Sequence, residues 1–79
     1  MVTDWNKLAS NLLKSELKKY GITYIQLQKQ LADLGIDETL NSINVKINRG
    51  AFSFSFFLQC VAAMDIKSLH FNDLFSDRK

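Results

Sequence analysis

Gly21, Gly35 and Gly50 each stand where a run of apolar residues at helical spacing gives out, and the chain of 79 residues has no other glycine and no proline. Glycine closes a helix readily because it takes the left-handed backbone wanted just past the last turn, whereas an interior proline would break one. The pattern therefore predicts short helices cut at three points. A first helix begins near Thr3 or Asp4, either of which can cap free amides, and carries Trp5, Leu8, Leu12, Leu13, Leu17 and Tyr20 on one stripe up to Gly21. Thr23-Tyr24-Ile25-Gln26 has the spacing of a capping box, followed by Leu27, Leu31 and Leu34 before Gly35. With about two residues between them, these two helices must pack as neighbours.

Asp37 is expected to cap a third helix, with Glu38 in its first turn and Leu40, Ile43 and Ile47 on its buried face, ending at Gly50. Ser53 is expected to cap a fourth, running to about Met64. Phe52, Phe54 and Phe56 alternate as a strand would, but Phe57, Leu58, Val61 and Ala62 continue at helical spacing, and the length of the run favours a helix. Phe56, Cys60 and Ala63 make a second apolar stripe on it, so this helix is either central to the core or partly an interface. Leu69, Phe71, Leu74 and Phe75 suggest a short fifth helix or a docking arm. The expected fold is a compact all-α bundle of four to five helices. It forms one domain over 1–79, with its body at about 4–66 and the arm at 67–79. Leu12, Leu27, Leu31, Ile47, Leu58 and Val61 are expected to share its core.

Composition narrows the function. The single cysteine, Cys60, allows neither an intramolecular disulfide nor a cysteine-rich zinc site and reads as a small buried side chain. His70 is the only histidine, lies beside Phe71, and has no evident Ser/Asp or Cys partner set; the chain is expected to be non-enzymatic, with no cofactor and no metal. The N-terminus lacks the basic and apolar regions of a secretory signal, and no stretch approaches 18 apolar residues, so a cytoplasmic protein without membrane contact is expected. Net charge is only +2, and the whole excess lies up to Gly35, where five lysines face three acids. That asymmetry hints at a basic side.

Short helices with a tight connection before a capped second helix suggest a helix-turn-helix bundle. Thr23-Tyr24-Ile25-Gln26-Leu27 followed by Leu31 resembles the opening of the second helix in lambda-repressor/Cro-type (Xre-like) DNA-binding domains. Ile47-Asn48-Arg49-Gly50 resembles the Ile-Glu-Arg-Gly run closing their recognition helix, and Ser53 to Ile66 resembles their capped fourth helix. The chain is also similar to a small bacterial family of uncharacterised domains with an Asn/Lys-x-x-Arg-Gly-x-Phe signature. Together these likenesses cover roughly residues 8–74. Leu34 stands thirteen residues before Ile47 where the family has about ten, so the third helix or its approach is longer by about one turn.

The resemblance implies a DNA-binding module, a small bacterial transcriptional regulator or antitoxin-like protein with duplex DNA as partner. The alternative is the same fold used for protein contacts or dimerisation. Asn41, Ser42, Val45, Lys46 and Arg49 form the candidate recognition surface: amides and hydroxyls read base edges, Val meets a thymine methyl, and cations bind phosphate or guanine. Thr23 and Tyr24 would sit where the second helix meets a phosphate. Lys7, Lys14 and Lys18, at i, i+7 and i+11, are either a solvated face or a phosphate-contacting stripe, with Lys14 and Lys18 the phosphate candidates. Asp37 and Glu38, at the start of the third helix, would oppose that contact. Self-association is expected through Phe52, Phe56 and the C-terminal segment, since one small core does not readily cover both stripes of the fourth helix.

Overall fold

The computed structural model describes residues 4–71, which form four α-helices and, among the described residues, no strand. They are α1 (Trp5–Tyr20), α2 (Tyr24–Asp33), α3 (Leu40–Arg49) and α4 (Phe54–Ala63). Each starts on a polar side chain that accepts from the amide three residues on: Asp4 from Lys7, Thr23 from Gln26, Thr39 from Ser42 and Ser53 from Phe56. At α2 the box is complete, because Gln26 Oε1 accepts from the Thr23 amide at 2.8 Å in return. At the end of α1, Gly21 turns left-handed, and its amide and that of Ile22 donate back to Lys18 and Leu17.

Leu13 and Leu17 of α1, Leu27 and Leu31 of α2, Ile43 and Ile47 of α3, and Phe56, Phe57 and Cys60 of α4 bury together with Met64 and Ile66. α3 packs against α1 and α2, and α2 also packs against α4. At the join of α1 and α3, Gly50 is buried with φ of +69°, and a Cβ there would stand 1.8 Å from the backbone oxygen of Asn6. Only glycine lets the end of α3 seat against the first turn of α1.

Two expectations need correction. Asp37 does not cap α3, and Glu38 is not in it; Thr39 is the cap and Leu40 the first helical residue. The amides of Gly35 and Ile36 are committed to closing α2, onto Ala32 and Leu31, and residues 36–39 run without regular structure up to Leu40. Leu58 is 50% exposed and outside the core, while Leu12 and Val61 pack on its edge. Leu58 stands about 200° around the helix from both Phe56 and Cys60, so burying that stripe turns Leu58 outward. The short fifth helix or docking arm expected at Leu69, Phe71, Leu74 and Phe75 falls mostly outside the described residues, and no helix follows α4 as far as Phe71.

Candidate nucleic-acid interface

α3 buries Ile43 and Ile47 and turns Asn41, Asn44, Val45, Asn48 and Arg49 to solvent. Of the five sequence-predicted recognition residues, Asn41, Val45 and Arg49 are thus exposed. Ser42 and Lys46 are half-buried and engaged by Glu38. Glu38 Oε1 accepts from the Ser42 hydroxyl at 2.7 Å, and Oε2 accepts from Lys46 Nζ at 2.6 Å. Both contacts, the lysine first, hold the Glu38 carboxyl below the usual range. Lys46 Nζ also lies 4.9 Å from the centre of the Phe56 ring. Gln28 of α2 donates to the Glu38 backbone oxygen at 3.1 Å. One acid thereby ties the connection to α2 and α3 and neutralises the Lys46 cation.

Further along α3, Asn48 Nδ2 donates to both the backbone oxygen and Oδ1 of Asn44, each at 2.7 Å. The Asn48 side chain also stands near the Tyr24 phenol. Burial raises the Tyr24 pKa, and the Asn48 contact opposes that rise in part. Thr23 is exposed; its amide and a hydroxyl lone pair serve the capping box, while the hydroxyl hydrogen remains a donor.

Beside this face, the first half of α1 and the end of α3 enclose an open crevice of about 400 Å³. Asp4, Asn6, Lys7, Lys14, Asn48 and Arg49 are among the residues that line it. Lys7, Lys14 and Arg49 form no ion pair among the described residues; the salt bridges there engage Lys19, Lys46 and Lys67. Lys14 therefore joins the candidate surface, while Lys18 is exposed and does not line the crevice. Gly50 seats the end of α3 directly against Asn6, which lines the crevice.

A second, apolar groove of about 310 Å³ lies between Ala9 and Leu12 of α1 and the residues Phe52, Phe54, Phe57 and Phe71. Phe57 stacks on Phe52 and Phe54 at centroid distances of 6.4 and 6.1 Å. Phe54 is 72% exposed, but Phe56 is only 3% exposed and belongs to the core, so it is not the docking side chain that its sequence position suggests. Phe52 is half-buried and does line the groove.

Sequence reading passed over three features. Asn44 was not separated from its neighbours, although Asn44 and Asn48 have the i, i+4 spacing that brings side chains together on a helix. Glu38, Ser42 and Lys46 stand at i, i+4 and i+8, the signal of one acid reaching along a face. Asn6 and Asn11 carried no signal of their own. Elsewhere, Cys60 is buried and its thiol is pushed up to about 12, chiefly by burial, which keeps it protonated. Among the described residues no group of three or more His, Cys, Asp or Glu side chains is placed to hold a metal ion, and no helix is long and apolar enough to cross a membrane.

The chain belongs to the family described as a domain of unknown function (DUF6471), whose match spans residues 5–69 and so takes in all four helices. No curated protein and no solved structure matches it.

Proposed function

We propose that this domain binds duplex DNA as a helix-turn-helix module of the lambda-repressor/Cro (Xre-like) type, serving as a small bacterial transcriptional regulator or antitoxin-like protein. In this reading α3 enters the major groove, and α2 lies across the backbone behind it. The observation that carries the reading is the pairing of an acid-free exposed face on α3 with the crevice holding Lys7, Lys14 and Arg49. Amides suit base edges and unpaired cations suit phosphates, and here the two kinds of group adjoin. The acids that seemed to oppose contact stand before α3, and the Glu38 charge is spent on Lys46.

Titration of a random duplex at two salt concentrations tests the proposal. Three phosphate contacts give a slope of log K against log salt of about −2.7, and Lys14→Ala reduces it by about 0.9. Absence of salt-sensitive binding at low ionic strength counts against it. A second reading, a protein-docking module, is favoured by one observation, the apolar groove with its exposed Phe54.

A further inference from the structure

We infer that Asn44 and Asn48 act together as the base-reading pair of α3 and select A·T base pairs in the major groove. This rests on the DNA-binding reading above and names what that surface recognises. The hydrogen-bond inventory of the pair is the starting point. Each amide group has an NH₂ with two donors and an oxygen with two lone pairs. Asn48 Nδ2 spends its donors on the backbone oxygen and Oδ1 of Asn44. The pair is left with donors at Asn44 Nδ2 and an acceptor at Asn48 Oδ1, on neighbouring turns of an exposed face.

A donor beside an acceptor matches adenine, which offers N7 as acceptor and its N6 amino group as donor. Guanine offers two acceptors, N7 and O6, and calls for a cation with two donors. The cation nearest the centre of α3, Lys46, is held by Glu38 at 2.6 Å and lies over the Phe56 ring. Arg49 lies at the helix end, in the crevice with Lys7 and Lys14. Val45, 41% exposed and next to Asn44, supplies an apolar contact for the thymine methyl.

The test is selection from a randomised duplex library by the full chain, followed by titration of the best site and of versions with single A·T pairs changed to G·C. The expected result is a selected site with adenine at the central positions. A G·C replacement there should weaken binding about 5- to 150-fold. Asn44→Ala should flatten that preference while leaving the salt slope unchanged; alanine at this exposed helical position keeps the fold, which circular dichroism checks. Lys46→Ala should leave the selected sequence as it was. Salt-sensitive binding without base preference, or a G·C preference lost in Lys46→Ala, overturns the inference and leaves DNA binding standing. Absence of all duplex binding overturns both.

Discussion

Replacing Gly50 by alanine probes the joint on which the candidate surface depends. Two costs arise there. An L-residue held at φ of +69° loses about 1–2 kcal/mol to the clash of its own Cβ with the backbone. The new Cβ also stands 1.8 Å from Asn6 O, and since real Cβ contacts essentially never fall below 3.0 Å, the two backbones must part by about 1.2 Å. Backbone, not a flexible side chain tip, is what has to move, and strain of this kind costs about 1–3 kcal/mol more. Gly21 is the control: its φ of +66° carries the first cost, and nothing lies within 4 Å to impose the second. The entropy that alanine removes from the unfolded chain is the same at both sites and cancels. Gly21→Ala should thus cost about 1–2 kcal/mol and Gly50→Ala about 2–5, read from urea unfolding followed by far-ultraviolet circular dichroism. For a domain of this size each kcal/mol lowers Tm by about 4–8 °C. If the two variants lie within about 0.5 kcal/mol of each other, the close seating of α3 on α1 is wrong.

Leu31→Ala, at a fully buried site, should cost about 2–5 kcal/mol, whereas Leu58→Ala on the exposed side of α4 should cost less than about 1; equal losses would mean α4 is turned the other way. Glu38→Gln should destabilise by roughly 1 kcal/mol at neutral pH, discounted because Lys46 is partly exposed. The depressed carboxyl contributes stability that is present above its unfolded pKa of about 4.3 and is lost as pH falls through its lower folded value, so the gap between wild type and variant should close below about pH 4. A gap that persists at low pH would separate the effect from the carboxylate.

Helix ends were the most legible part of the fold, because Asp4, Thr23 and Ser53 are strong caps and Gly21 and Gly50 close helices by a backbone property no other residue shares so well. The start of α3 was not legible. Asp37 and Thr39 are both good caps two residues apart, and the choice falls to how many amides α2 uses to close, a matter settled beyond the local sequence. The facing of α4 was hidden for a related reason: Phe54, Phe56, Phe57, Leu58, Cys60 and Val61 surround the helix, so periodicity offers no single buried side. At the candidate site, residue type pointed to Asn41, Val45 and Arg49, but spacing alone did not show that Glu38 would take Lys46 and Ser42. The Asn44–Asn48 pair depends on side-chain rotation, which the pattern of residue types does not record.

The most direct measurement is the amide and side-chain NMR spectrum of the ¹⁵N-labelled chain titrated with a duplex containing the selected site. Binding through α3 and its flanking crevice should shift Asn41, Asn44, Val45, Asn48 and Arg49, together with Lys7 and Lys14. The groove residues Leu12, Phe54 and Phe57 should remain in place. Shifts gathered around Leu12, Phe54 and Phe57, with α3 unmoved, would contradict the account and assign the protein's contacts to the apolar groove.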